Sequence, residues 1–425
     1  MVPLKVINLT KKIPLLPAFN QPALTAEDVA PAREYIKNYW PKLQCYTPQD
    51  VDSLIGLPKP YLVPAREEDR EFDFNELYYW DSYFIIQGLL DAEHKELVLG
   101  ILEDLLNLFK RFRIIPNASR TYLMGRSHPP FLTTMILDIH KAFNMDKQWL
   151  SEAMAVAEDE YQTVWMGTEK PNARQVFEGL SRYYDINYLN DLAEAESGWD
   201  LTPRFSRHCL DFLPVDLNSL LYKYESDFAR VQRLLGDEHR AAEWDERASR
   251  RKLRMNELMW SNLRNFYYDY NYVKKQRGNV DSLAAYYTMW AGMADERQAA
   301  RLVNGLRKFE NKGGLATTDN NLLGQLVPGA QPTQWAYPNG WAPLHFLVIK
   351  ALQRYGYHGD ACRIAIKWLK TNLDWFNTYG VFLEKYNVVQ PSKPPLKGVY
   401  PSQTGFGWTN AVFEKFCQEF IDKPA

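Results

Sequence analysis

Helical periodicity covers this 425-residue chain almost without interruption and limits the folds open to it. From about residue 74, apolar residues recur every three or four positions, as in helices that bury one face. Strand-like alternation is rare, although residues 265–272 and 380–386 could each form a short hairpin arm. The sequence therefore predicts an all-α fold. The predicted helical segments are 76–90, 95–110, 130–143, 147–165, 216–235, 239–260, 281–293, 296–309, 340–355, 359–372 and 405–420.

Two architectures suit a dozen helices joined by short loops: an open superhelix of repeats and a closed toroid of six helical hairpins. Tandem repeats would show self-similarity at a fixed period, and the sequence shows none. The predicted fold is therefore an (α/α)6 toroidal barrel, with short β-arms in its loops and a funnel at one end where loops converge.

The first 60 residues read as an irregular leader around one helix. An N-cap residue, Thr25, precedes two acidic residues, and the helical pattern continues to Pro41. No Gly/Ser/Pro linker divides the remainder. We predict a leader, residues 1–60, that packs on a barrel domain, residues 61–425.

Composition excludes several classes of function. The net charge of −2, without a basic run, argues against a nucleic-acid partner. The four cysteines and seven histidines lack metal-ligand spacing, which predicts no metal and fits a reducing compartment. No apolar run approaches 18 residues, and glycine-rich phosphate or dinucleotide motifs are absent. We expect a cytoplasmic protein without a cofactor. The sequence does not indicate its oligomeric state.

The segment Glu196–Asp200 carries the strongest chemical signal. It places the carboxyl of Asp200 beside the indole of Trp199. An apolar environment raises the pKa of a carboxyl group, which can then protonate a leaving group at neutral pH. Glycosidases are the commonest users of such an acid. A packing tryptophan beside a helix-capping aspartate would give the same sequence.

Hydrolysis of a glycoside needs a second carboxyl group, and Glu384 is the best candidate. It follows an apolar run and precedes Lys385, whose positive charge would favour the ionised carboxylate. A surface Glu-Lys pair at the end of a strand is the alternative interpretation.

Further clusters of aromatic, amide and charged residues lie at or before the starts of predicted helices. Aromatic residues make up 14% of the chain, which suits a sugar-binding cleft as well as a large helical core. Loops of this kind, at wide intervals, would line a single funnel. The clusters are Phe74–Tyr83, Ile115–Arg120, Arg126–Pro130, Gln334–Pro343 and Gly405–Asn410.

These motifs resemble those of the trehalases, glycoside hydrolase family 37, from about Glu76 to Phe413. The run at Glu76–Phe84 is similar to one trehalase signature, and Gln334–Pro343 resembles the other. The resemblance implies an (α/α)6 barrel that hydrolyses a small sugar with inversion at the anomeric carbon. The other matching segments, in the same order, are Glu196–Asp200, Pro214–Asn218, Glu384–Tyr386 and Gly405–Asn410.

The resemblance also implies individual roles. Asp200 would be the general acid, and Glu384 the general base that activates water. We take the indoles of Trp199, Trp341 and Trp408, which lie in the same motifs, as further candidates for sugar contact. The residues implied to bind the glucosyl unit are Trp80, Asp81, Asn117, Arg126 and Gly198, with Ser127 and His128 completing their loop.

Four departures from the trehalase pattern concern specificity. Asp73 and Val399 stand where trehalases have Arg and Glu, and Ala336 stands where they usually have Asp. The segment 183–195 is too short for their Arg-Pro-Glu sequence. Each lost charged partner could cost about 1.5–3 kcal/mol, enough to change which leaving group, or aglycone, is accepted.

We therefore expect an inverting α-glucosidase of the trehalase type, acting on trehalose or a similar small α-glucoside. One alternative is a hydrolase of a compatible-solute glycoside, such as glucosylglycerate, mannosylglycerate or glucosylglycerol. Others are an inactive sugar-binding protein and a helical-barrel epimerase, which would rely on histidines. Cations available to an anionic aglycone are Arg66, Arg70, Lys393 and Lys397.

Overall fold

Helices dominate the computed structural model, which describes residues 24–66, 74–321, 333–396, 398 and 403–422. Each of the eleven predicted helical segments contains a helix, and α1 begins after Thr25 as predicted. Only α6 was not predicted. The helices in the described ranges are α1 (Ala26–Leu43), α2 (Tyr79–Ile86), α3 (Lys95–Phe112), α4 (Leu132–Phe143), α5 (Lys147–Glu160), α6 (Asn190–Glu196), α7 (Val215–Leu235), α8 (Glu238–Leu258), α9 (Tyr287–Trp290), α10 (Glu296–Gly305), α11 (Ala342–Arg354), α12 (His358–Tyr379) and α13 (Gly407–Phe420).

Alternate helices form a closed inner ring. Helix α2 packs on α13, α13 on α11, α11 on α9, α9 on α7, and α7 on α4. The ring closes between α4 and α2, where Gln87 donates to Asp138 at 3.0 Å and Tyr83 stacks on Phe131 with centroids 4.6 Å apart. Helices α2 and α9 are buried along their whole length, as expected for the inner ring. The (α/α)6 barrel is confirmed.

The outer helices are α1, α3, α5, α8, α10 and α12, which alternate with the inner ones along the chain. Helix α1 lies in the predicted leader and packs on α12 and α13. Its apolar residues recur at helical spacing on one buried face, and Arg33 pairs with Glu414 of α13 at 2.7 Å. The part of the predicted leader before residue 24 lies outside the described residues. The short helix α6 belongs to neither ring and lies in the loop before α7.

Short antiparallel strands connect the loops. They pair as β1–β2, β3–β4, β5–β8–β9, β6–β7, β10–β11 and β12–β13. The strands in the described ranges are β1 (Gln44–Cys45), β2 (Tyr61–Leu62), β3 (Gln175–Phe177), β4 (Leu180–Ser181), β5 (Phe212–Leu213), β6 (Trp260–Ser261), β7 (Phe266–Tyr267), β8 (Tyr270–Asn271), β9 (Gln276–Arg277), β10 (Glu310–Asn311), β11 (Gly314–Leu315), β12 (Asn339–Trp341) and β13 (Lys385–Asn387).

The β-arms lie in loops as predicted, and residues 265–272 supply one arm to each of two hairpins, whereas 380–386 form no hairpin of their own. Strands β7 and β8 both lie in 265–272, yet β7 pairs with β6, and β8 pairs with β5 and β9. Strand β13 pairs with β12, so that Lys385 lies opposite Trp341. Alternation in a sequence indicates extended backbone but does not identify the partner strand.

None of the helices in the described ranges combines the length and the apolar composition needed to cross a membrane.

Candidate active site

Five tryptophans from four separate motifs meet in one aromatic cluster. Trp335 stacks on Trp341 with ring centroids 3.8 Å apart and on Trp199 at 5.5 Å. Trp80 lies 6.0 Å from Trp335 and 6.1 Å from Trp408. The aromatic cluster of Trp80, Trp199, Trp335, Trp341 and Trp408 therefore joins the start of α2, the loop after α6, the loop before α11 and the start of α13.

The loop that carries Asp200 is fixed at both ends. Gly198 has φ of 71°, a left-handed conformation that glycine adopts most easily. A Cβ at this position would lie only 2.9 Å from the indole of Trp80. Beyond Asp200, the backbone N–H of Thr202 donates to the buried carboxyl of Glu194 at 2.6 Å. The turn thus holds Asp200 beside the aromatic cluster.

The carboxyl group of Asp200 has a raised pKa. Burial raises the pKa of its carboxyl to about 6, against the positive charge of Arg126 and with a contribution from the negative charge of Glu384. Burial also raises the pKa of Asp81 well above its usual range, and the charges of Glu384 and Asp200 add to this rise. The three carboxyl groups therefore share one electrostatic environment, although two of them lie nearly two hundred positions apart in the chain.

Glu384 is completely buried and is held from several sides. Its Oε2 accepts from Nζ of Lys385 at 2.5 Å, and Lys385 is also completely buried. The backbone carbonyl of Glu384 accepts from the indole of Trp408 at 3.2 Å. The Lys385 ammonium lies 4.9 Å from the ring centroid of Trp341. The side chain and the backbone of Glu384 are therefore both held in place.

Asn117, in the loop after α3, connects several segments of the candidate site. Its backbone N–H donates to the carbonyl of Arg126 at 3.0 Å. Its side-chain amide donates to the carbonyls of Ser127 and Ala195 at 3.4 and 3.3 Å. Asn117 therefore ties the loop of Arg126 and Ser127 to the helix that precedes the acid.

Arg126 and His128 present buried polar atoms that have no partner among the described residues. Arg126 Nη1 pairs with Asp185 at 3.2 Å, but its Nε makes no hydrogen bond. The Nδ1 atom of His128 is likewise unpaired. Burial, together with the charge of Arg126, lowers the pKa of His128 to about 3, so the imidazole is neutral. Buried polar atoms normally have partners, and sugar hydroxyls can supply them here.

Glu196 is a buried anchor whose role was not evident from the sequence. Its carboxylate pairs with Arg174, whose Nε donates to Oε2 at 3.1 Å. It also accepts from the backbone N–H groups of Ser127 and Tyr184, each at 2.7 Å. Glu196, at the end of α6, thus connects the loop of Ser127 to the segment before α6, which carries Arg174 and Tyr184. Nothing in the local sequence indicates Arg174 as the partner.

A second buried anchor lies behind Trp199. The guanidinium of Arg204 lies 4.6 Å from the Trp199 ring centroid. It bonds Asp216 at the start of α7 and Asp269 in the short segment between β7 and β8, with shortest distances of 2.6 and 2.7 Å. The motif that contains Asp216 was recognisable in the sequence, but no role for Arg204 or Asp269 was predicted. Spacing along the chain gave no signal for this triad.

Trp199, Trp341 and Trp408, predicted to contact sugar, are all buried. Each packs against another ring of the aromatic cluster. The cluster brings them to the same end of the barrel as both acids. Their contact with a sugar stays a prediction.

The departures from the trehalase pattern are only partly described by the structure. Ala336 is buried, and its carbonyl accepts from the N–H of Asn339 at 2.9 Å. Of the cations considered for an anionic aglycone, Arg66 and Lys393 lie in the described ranges. Those outside the described residues are Arg70, Asp73, Lys397 and Val399.

Comparison with known proteins agrees with this architecture. The trehalase family model matches residues 10–196 and 185–420. A cytosolic neutral trehalase of Kluyveromyces lactis is 32% identical over 91% of this chain and 60% of its own length. One of Beauveria bassiana is 32% identical over 85% of this chain and 58% of its own length. The chain thus spans about 60% of the length of these curated relatives.

Solved structures show the same fold. The neutral trehalase Nth1 of Saccharomyces cerevisiae superposes with a TM-score of 0.75 at 29% identity, covering 91% of this chain and 80% of that one. A mannosylglycerate hydrolase of Thermus thermophilus gives 0.66 at 16% identity, covering 90% and 99%, which is a likeness of fold alone.

The two helical rings, with loops meeting at one end, define an (α/α)6-barrel protein whose loops bring carboxyl groups and tryptophans together. Within that class, the chain belongs to the trehalase family.

Gly198→Ala tests the geometry of the acid loop. The left-handed backbone costs a residue with a Cβ about 1–3 kcal/mol, and the contact with Trp80 adds to that. We expect a lower melting temperature and a large loss of activity, because Asp200 moves. Gly236→Ala is the control, since Gly236 has φ of 93° and nothing lies within 4 Å of the point that its Cβ would occupy. It should be destabilised less and keep its activity. Equal activities in the two variants would refute the tight fit.

Proposed function

We propose that this protein is an inverting glycosidase of the trehalase type, which hydrolyses trehalose or a similar small α-glucoside. One observation carries the proposal: the carboxyl groups of Asp200 and Glu384 lie close enough to interact electrostatically, and they have different surroundings. Asp200 has a raised pKa, whereas Glu384 is ion-paired with Lys385. Inverting glycosidases use one carboxyl group of such a pair as the acid and the other as the base.

In the proposed reaction, Asp200 donates its proton to the glycosidic oxygen as the bond from that oxygen to the anomeric carbon breaks. Glu384 accepts a proton from a water molecule, whose oxygen attacks the anomeric carbon from the opposite face. Each product then carries one new hydroxyl group, and the configuration at the anomeric carbon is inverted. No metal or cofactor enters the proposal.

The remaining site residues would bind the glucosyl unit. Arg126 and His128 offer buried, unpaired nitrogen atoms that can bond sugar hydroxyls. Asp81, whose raised pKa favours the neutral carboxyl, can both donate and accept hydrogen bonds.

The curated relatives that support this function are named cytosolic neutral trehalases, and we extend the cytoplasmic location to this protein on the same ground. The boundary of the leader at residue 60 is also part of the proposal.

Asp200→Asn and Glu384→Gln test the two roles. Each should lower kcat for trehalose by at least about a hundredfold, because general acid–base catalysis contributes that much or more. The melting temperature and trehalose binding, measured calorimetrically, should change little. Asp191→Asn, which alters an exposed acid nine positions before Asp200, is the matched control and should retain full activity. Near-full activity in either test variant would make the role assignment wrong.

The pH profile tests the assignment of Asp200 separately. The general acid must be protonated, and its pKa is raised to about 6, so kcat/KM should fall as the pH rises above about 6. The charge of Arg126 lowers this pKa. Arg126→Met should therefore move the alkaline limb to higher pH, even though weaker sugar binding lowers the overall rate. A limb that stays in place or moves to lower pH would contradict the assignment.

A further inference from the structure

Glu194, in α6, is bonded to both ends of the turn that carries Asp200. At the start of the turn, its backbone carbonyl accepts from the hydroxyl of Ser197 at 2.6 Å, and that hydroxyl accepts from the N–H of Trp199 at 3.1 Å. At the end of the turn, its side-chain Oε1 accepts from the N–H of Thr202 at 2.6 Å. One residue of α6 thus contacts the chain on either side of Asp200.

The turn needs support because part of its backbone is unfavourable. Leu201 has φ of 58°, in the left-handed region, which is uncommon for a residue with a Cβ. The carbonyl of Trp199 accepts from the N–H of Thr202 at 3.0 Å and closes the turn around Asp200. A strained backbone persists only where the surrounding contacts hold it. The hydrogen bond from Thr202 to Glu194 is one such contact.

Thr202 also connects the turn to a buried anchor. It precedes the 3-10 helix Pro203–Phe205, and its hydroxyl accepts from the N–H of Arg204 at 3.4 Å. The guanidinium of Arg204 lies 4.6 Å from the ring centroid of Trp199. The bond to Glu194 therefore fixes the turn at the point where the chain leaves it for this anchor.

The surroundings of Glu194 favour a neutral carboxyl group. Burial raises its pKa to about 8, and the negative charges of Asp200 and Asp191 add to this rise. The hydrogen bond that the carboxyl accepts and the positive charge of Arg204 act in the opposite direction. At neutral pH the side chain is therefore an uncharged hydrogen-bond acceptor beside Asp200. Glutamine offers an uncharged acceptor oxygen in the same position.

We propose that Glu194 is a positioning residue for the proposed general acid, and that it fixes the carboxyl of Asp200 by holding its turn at Thr202. The inference rests on the proposed function, because it takes Asp200 to be the acid. Glu194 acts through the backbone of the turn rather than on the substrate. A displacement of about 1 Å can cost a catalytic group a hundredfold in rate, so loss of this hydrogen bond should slow the donation of the proton.

Two substrates distinguish a misplaced acid from general damage to the site. The oxygen that leaves trehalose must be protonated, whereas fluoride is a weak base and leaves α-glucosyl fluoride with little help from an acid. Glu194→Met keeps a side chain of similar length but removes the acceptor. We expect kcat for trehalose to fall about tenfold or more, with KM within about threefold of the wild-type value. The kcat for α-glucosyl fluoride should change by less than about threefold.

Glu194→Gln is the matched variant, because it keeps the acceptor oxygen without a charge. It should hydrolyse both substrates within about threefold of the wild-type rates. The ratio of the two rates in one sample does not depend on the folded fraction, so partial unfolding cannot imitate a selective loss.

Equal losses on the two substrates in Glu194→Met, or full activity of that variant on trehalose, would overturn the positioning role. A glutamine variant as slow on trehalose as the methionine variant would overturn it as well. Failure of the wild type on both substrates would instead refute the proposed function.

Discussion

Stacking of Trp335 between Trp199 and Trp341 is the contact on which the site depends. Trp199 immediately precedes Asp200, and Trp341 lies opposite Lys385, the residue that follows Glu384. The pairing of β12 with β13 fixes the position of Trp341 relative to Lys385, the neighbour of Glu384. One stack of indoles therefore sets the relation between two loops that enter from distant parts of the chain.

Buried ion pairs fix the same loops from outside the aromatic cluster. Arg174 holds Glu196, Arg204 holds Asp216 and Asp269, and Lys385 holds Glu384. Removing charges from water is expensive, so such pairs are poor evidence for stability. Their geometry is specific, however, and here each pair fixes a segment that carries or adjoins a carboxyl group of the site. The fold thus retains costly groups where the position of a side chain matters most.

Much of the fold could be predicted from the sequence, because a helix that buries one face leaves a local pattern. That pattern located every long helix, and Thr25 correctly indicated the start of α1. Helix α6 was missed because it has only seven residues and carries no clear periodicity. The partners of β7, β8 and β13 could not be predicted, because they lie outside the segments that alternate. Local alternation carries no information about such partners.

Some residues of the candidate site could likewise be predicted from the sequence, and others could not. Asp200 and Glu384 could be singled out because aromatic, apolar and charged neighbours surround them in the sequence itself. The anchors Arg174, Arg204 and Asp269 could not, because their contacts span separate segments that only the folded chain brings together.

The most direct measurement is proton NMR of the glucose first released from an α-linked substrate. A base and an acid on opposite faces of one glycosidic bond produce inversion, so β-glucose should appear before mutarotation mixes the anomers. If α-glucose appeared first, the reaction would proceed with retention, and Glu384 could not be the base that activates water.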